Sequence, residues 1–272
     1  MASDLFPVNP ALHRVGTLTR TIGASLERVW ENVFDWEHLP WLHHTDFASI
    51  DLLDSGPWGW RASACSTAWP DHSFTVELLT EVEEGRYVSR TLDGDAVTGE
   101  IWTALAPLDH HRTDIHVEFW LAGIPQAARE EVGAAYLKLY QRLWNEDEGM
   151  MRERARQLED VAASEAGCAR EVALGSFSEL IERLPLRVEL GGADWRLVWV
   201  DGEVWVHDAR CPHSLGPLCE GPDESGQVEC PWHGYRFDVK TGQSSDGRRL
   251  RLRKPPRLVR DGETDEVTLA LD

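Results

Sequence analysis

Residues Cys211–Gly234 read CPHSLGPLCEGPDESGQVECPWHG. Here Cys211-x-His213 is followed, after sixteen residues, by Cys230-x-x-His233. Two thiols and two imidazoles at such spacing form a metal set on chemical grounds alone. Zinc accepts it, as does a [2Fe–2S] centre in which two His replace two Cys on one iron. The one-residue gap of Cys-x-His is unusual for a zinc finger. Each pair sits beside Gly, Pro or a turn, which suits two loops clasping a cluster.

The flanking sequence has strand grammar. PLRVEL, WRLVWV and VWVHDA alternate or run apolar between GGAD and DG turns. The last hundred residues therefore read as all-β. The run GRRLRLRKPPRLVR (Gly247–Arg260) suits a strand with one solvated face, with a docking patch for a redox partner as the other reading. A boundary is expected near Glu165–Arg170, giving domains 1–165 and 170–272. The first opens with strand-like RVGTLTRTIG and then ASLERVWENVF, apolar at helical spacing, with Ser25 as N-cap. Six strand segments follow, from ASIDLL to TDIHVEFWL, and then a long helical stretch beginning AREEVGAAYLKLYQRLW. That order is α+β.

The chain has 272 residues, 42% of them apolar, and a net charge of −20. Such acidity argues against nucleic acid and against anionic membranes as partners. No apolar run reaches the ~20 residues of a membrane span, and the N-terminus lacks the pattern of a secretory signal. Five cysteines are too few and odd in number for a disulfide framework. A cytoplasmic protein is expected.

CPHSLGPL followed by CPWHGYRFDVKTGQ closely resembles the Rieske ferredoxin signature over roughly residues 170–272. The resemblance implies that Cys211 and Cys230 hold one iron, and His213 and His233 the other. Cytochrome-complex Rieske proteins carry two further cysteines joined as a disulfide; those would fall at Gly216 and Trp232 here. Neither is Cys, so the lower-potential ferredoxin or oxygenase type is implied, and Cys219 is a bystander.

A [2Fe–2S] centre moves single electrons, which turns attention to FDWEHLPWLHH (Phe34–His44). Asp35, His38 and His43 form Asp-x2-His-x4-His. Asp35 and His38 are i, i+3 on a helix and can touch, so the carboxylate can orient a metal-bound imidazole. His43 lies about 140° further round an ideal helix than His38. Pro40, which disfavours helix at Leu39, breaks that continuity and lets both rings aim at one point. Two His and a carboxylate make the facial triad of non-haem Fe(II) oxygenases. In NEDE (Asn145–Glu148) Asp147 falls mid-face among Leu143, Trp144, Met150 and Met151, whereas Glu146 points away and Glu148 is marginal.

ENVFDWEHLPWLHH also resembles the mononuclear-iron motif of Rieske non-haem iron oxygenases, and NEDEGMM their late helical carboxylate. By that resemblance His38 and His43 are iron ligands, and Asp35 links the two metal sites. Asp147 is the third ligand by helix geometry. Matching Trp144 and Glu153 to the family favours Glu148 as its rival. The first half resembles the helix-grip (START-like) superfamily, many members of which hold no metal yet share the Asp, Leu-Pro and aromatics. The domain order is reversed relative to the oxygenase family.

The expectation is an oxidoreductase with a [2Fe–2S] cluster and a mononuclear Fe(II), acting with O2 on a small apolar or aromatic substrate. A separate reductase or ferredoxin donates electrons, since there is no nucleotide fingerprint. The resemblance further implies a homo-oligomer, a trimer in that family. The alternative is a non-catalytic Rieske electron-transfer protein fused to a hydrophobic-ligand domain. A third reading is a metal-free cyclase or hydrolase using His38 and Asp35 as acid–base pair.

Overall fold

The computed structural model describes residues 11–93, 98–163 and 168–272. The expectations for residues 1–10, for Val97 and for Glu165 lie outside them. By compactness the chain divides into Met1–Arg152 and Glu153–Asp272, a division that falls within a long helix.

The first unit begins with β1 (His13–Ile22), α1 (Leu26–Phe34) and the single turn α2 (Leu39–Leu42). Six strands follow: β2 (Phe47–Gly56), β3 (Gly59–Ser66), β4 (Trp69–Glu81), β5 (Arg86–Thr91), β6 (Gly99–Pro107) and β7 (Thr113–Leu121). They form one antiparallel sheet in the order 1-7-6-5-4-3-2. Helix α3 (Arg129–Ala163) closes the element order.

Strand period decides which face is covered. Along β7 Thr113, Ile115, Val117, Phe119 and Leu121 are buried, while the residues between them are more exposed. The buried row meets α3: Phe119 lies 5.7 Å from Tyr136 and 4.9 Å from Tyr140, ring to ring. Gly133 lets the helix come this near. A Cβ there would sit 2.0 Å from the Val15 carbonyl oxygen of β1. A sheet curled on a long C-terminal helix, with two short helices between its first two strands, is the helix-grip architecture expected from the sequence.

Ser25 caps α1 as its sequence suggests, its hydroxyl accepting from the Arg28 N–H at 3.3 Å. The helix stops at Phe34, so Asp35 and His38 do not share one helix as expected.

In the second unit, β9 (Leu186–Leu190), β10 (Ala193–Val200) and β11 (Glu203–Asp208) form one antiparallel sheet. A second joins β8 (Glu171–Ser176), β14 (Arg257–Arg260) and β15 (Glu266–Ala270). β12 (Gln227–Glu229) and β13 (Arg236–Asp238) make a short ribbon. Beyond the end of α3, the β reading holds except for α4 (Phe177–Glu182), nucleated by a Ser176/Glu179 capping box. Trp195, Leu197, Val206, Val267 and Leu269 centre its core.

The basic run is strand only over Arg257–Arg260. Several of its cations are already matched by acids: Arg253 by Asp208, Lys254 and Arg257 by Asp272, and Arg260 by Asp265.

Candidate metal centres

Pro40 sits in the first turn of α2, where a missing N–H costs no helical hydrogen bond. Leu39 is therefore helical, contrary to expectation. The consequence for the rings is the expected one. His38 is the N-cap and His43 the C-cap of this single turn, both are buried, and their rings lie 5.2 Å apart.

Asp147 comes from α3, 104 residues beyond His43. Its Oδ1 is 3.0 Å from His43 Nε2 and 3.4 Å from His38 Nε2. One donor atom of each residue lies within 4.8 Å of the others. A metal about 2.1 Å from donors at right angles would space them by about 3.0 Å. The observed separations suit that arrangement.

Carboxylates back both rings. Asp35 Oδ2 is 3.8 Å from His38 Nδ1, and Glu146 Oε2 is 2.6 Å from His43 Nδ1. Glu146 was expected to point away. His43 instead spans two neighbouring acids of α3, one on each ring nitrogen. Asn32 donates to Asp147 Oδ1 at 3.1 Å. Neither Glu146 nor Asn32 was foreseen, although Asn32 is a polar residue beside the apolar stripe of Val29 and Val33, which is a legible signal. Glu148 is engaged elsewhere, with Arg20 and with the Gly23 N–H. His44 is exposed, its ring beside the Trp41 carbonyl.

Burial opposes charge on His38, but Asp147 and Asp35 outweigh it and its pKa is pushed up to about 10. Burial likewise opposes ionisation of Asp147, yet His38 and His43 hold its carboxyl well below the usual range. The acids thus call for a positive charge among them, which a proton or a metal ion supplies. The donor set fits a mononuclear divalent metal.

A cavity of about 140 Å³ borders these residues, and one of about 490 Å³ adjoins it. The two share Phe47, Val76, Ser89, Ile101, Tyr140 and Leu143. The walls are chiefly apolar, and the larger volume is that of a small-molecule site.

In the second unit two loops repeat one pattern. The Cys211 N–H donates to the Gly216 carbonyl at 2.8 Å, and the Leu215 N–H returns to the Cys211 carbonyl at 3.0 Å. The Cys230 N–H donates to Tyr235 at 2.9 Å, and the Gly234 N–H to Cys230 at 2.8 Å. Leu215 and Gly234, each four residues past its cysteine, both have positive φ. The N–H groups of His213 and Ser214 point at the Cys211 sulfur, and those of Trp232 and His233 at Cys230. The hydrogen bond between the two thiols lowers the pKa of Cys211 and raises that of Cys230.

The His213 and His233 rings lie 4.6 Å apart, His233 buried and His213 exposed. A Cβ at position 216 would come within 3.0 Å of Cys230 Sγ and 2.7 Å of Trp232. Glycine at position 216 thus makes room beside Cys230 and Trp232.

One zinc would gather such donors to about 3.4–3.8 Å of one another. Among the described residues, the only potential ligands gathered in threes within 4.8 Å are His38, His43 and Asp147.

Residues 170–256 match the family model of the Rieske [2Fe-2S] domain. The C-terminal part of the chain is such a domain, following a helix-grip domain, and a Rieske domain implies a [2Fe–2S] cluster and electron exchange with redox partners.

The ferredoxin component of the naphthalene 1,2-dioxygenase system of Pseudomonas putida is 35% identical over 69 residues, 25% of this chain and 66% of that protein. Apoptosis-inducing factor 3 of Mus musculus is 42% identical over 59 residues, 22% of this chain. The chain spans only 10% of the length of that relative. A START superfamily protein from Mycobacterium smegmatis aligns with 50% of this chain and 96% of its own, at 16% identity and a TM-score of 0.42. No helix among the described residues is long and apolar enough to cross a membrane.

Proposed function

We propose that this chain is a Rieske-type non-haem iron oxygenase acting on a small apolar or aromatic substrate. The observation that carries the reading is the convergence of His38, His43 and Asp147 beside an apolar cavity, in a chain that also has a Rieske domain. His38, His43 and Asp147 would hold the mononuclear iron; Cys211, His213, Cys230 and His233 would hold the cluster. When bound, the cluster supplies single electrons and the Fe(II) supplies O2 activation.

The chain's own residues do the rest. Asp35 orients His38 and is the group on the electron's path into the site. Phe47, Ile101 and Leu143 exclude water and bind the apolar body of the substrate. Asn32 fixes the Asp147 carboxylate. The electron donor is a separate reductase or ferredoxin, and the protein works in the cytoplasm as a homo-oligomer.

A second reading has one observation in its favour. Asn32, Glu146 and the two imidazoles can satisfy Asp147 and each other with protons alone. The chain would then be a redox protein with a ligand-binding domain. Iron and acid-labile sulfide per chain, measured anaerobically beside His38→Ala/His43→Ala, separate the two. The oxygenase reading expects about three irons and two sulfides, with one iron and no sulfide lost in the variant. About two irons in both proteins would refute it.

A further inference from the structure

The geometry points to Glu146 as the positioning residue that makes His43 a metal ligand; the inference rests on the mononuclear-iron reading above. His43 is among the most deeply buried polar residues of the chain, at 1% exposure. Its ring is held at both nitrogens by consecutive residues of α3. Glu146 Oε2 is 2.6 Å from Nδ1, and Asp147 Oδ1 is 3.0 Å from Nε2.

A neutral imidazole carries one N–H. A carboxylate accepts and does not donate, so Glu146 draws that N–H to Nδ1. The Nε2 lone pair is then directed to the side where Asp147 and His38 place their own donor atoms. Without Glu146, Asp147 would draw the proton to Nε2. His43 would then be a hydrogen-bond donor to Asp147, and both would be withdrawn from a metal. Glu146 also fixes the ring rotation. Neighbours on a helix are ~100° apart, so two of them gripping one ring leave it a single orientation.

The three carboxylates thus divide their roles. Asp147 faces the metal position, Asp35 stands behind His38, and Glu146 stands behind His43. Glu146 is partly accessible, with 29% of its side chain exposed, so it can be replaced without opening the core.

The test is anaerobic Co(II) titration of the full-length protein, with its cluster intact, followed by the visible ligand-field bands. The variants are Glu146→Ala and Glu146→Gln. Glu146→Ala is expected to bind Co(II) about 10–100-fold more weakly, with altered bands. Glu146→Gln, whose amide oxygen can still accept from Nδ1–H, should recover to within about tenfold of wild type. Sulfide content should not move. The melting temperature of the mononuclear-metal-free protein should fall in Glu146→Ala by no more than the loss of one hydrogen bond to a buried imidazole explains, and be restored in Glu146→Gln. The altered ligand-field bands are the readout a merely structural role would not move.

Wild-type affinity in Glu146→Ala would overturn the inference and leave the proposed function standing. So would Glu146→Gln as weak as Glu146→Ala, since negative charge alone would then be the cause. Absence of a saturable Co(II) site in the wild type would overturn both.

Discussion

The two candidate centres of this chain are built in opposite ways. In the second unit all four donors come from two loops that span 23 residues and repeat one hydrogen-bonded turn around each cysteine. In the first unit two donors flank a four-residue turn, and the third arrives on a helix 104 residues further on. The loop site is held by backbone and is written into local spacing. The helical site exists only if the sheet, α2 and α3 pack in register. A cluster bound through short loops tolerates strain elsewhere, whereas a site closed by a long-range contact depends on every residue that sets helix position.

The sharpest way to break this comparison is at the loops. Cys211→Ser removes one of two thiolates and is expected to abolish acid-labile sulfide and the visible absorption of the cluster. Retention of half the sulfide would mean that the ligand set is wrong.

Asp147→Ala comes next. It should cost the mononuclear metal more than about 100-fold in affinity, since removing even a supporting group costs 10–100-fold. Sulfide should stay at the wild-type level. Metal analysis of the purified variant decides it, and loss of sulfide would tie together two sites described here as separately built.

The third test asks whether the helical site depends on packing at a distance. Gly133→Ala puts a methyl group 2.0 Å from the Val15 carbonyl. Moving backbone to accommodate it should cost about 1–3 kcal/mol, against at most ~1 kcal/mol gained in helix propensity. The midpoint of urea unfolding should fall and Co(II) affinity weaken, with sulfide unchanged. Unaltered Co(II) binding would show that the site does not need this register.

The smallest effect concerns pH in the second unit. Burial, aided by Arg196, holds the His207 imidazole below its ordinary 6.5. The unfolded chain therefore binds a proton that the folded one refuses. The stability this lends is complete above about pH 6.5 and declines as pH falls through the folded-state value. Thermal unfolding at pH 7.5 and 5.5 should show a larger acid-side loss in wild type than in His207→Leu. Equal losses would assign the acid sensitivity to other groups.

Much of this was legible in the residues. Ser25 as N-cap, the alternation along β7 and the Cys/His pairs are short-range patterns whose physics operates within a few residues. The apolar neighbours of Asp147 placed it on the buried face of α3 because helical period is local too.

Asp147 was foreseen opposite His38 and His43, but other details of how distant elements meet, and one local one, escaped the sequence. Glu148 was a rival until Arg20 and the Gly23 N–H of the β1–α1 junction were seen to hold it. Glu146 was set aside by its angle on α3, yet a ring inserted from α2 reaches it and Asp147 together. Pro40 was read as barring helix at Leu39, but at the start of a new turn its missing N–H has nothing to lose. By itself the sequence determined the two kinds of domain, and it singled out the cluster ligands that are proposed, because both depend on spacing along one loop or one element. Only the tertiary structure decided that Glu146 backs His43 while Glu148 turns to Arg20, because side chains more than a hundred residues apart meet through the packing of sheet and helix and carry no mark of it locally.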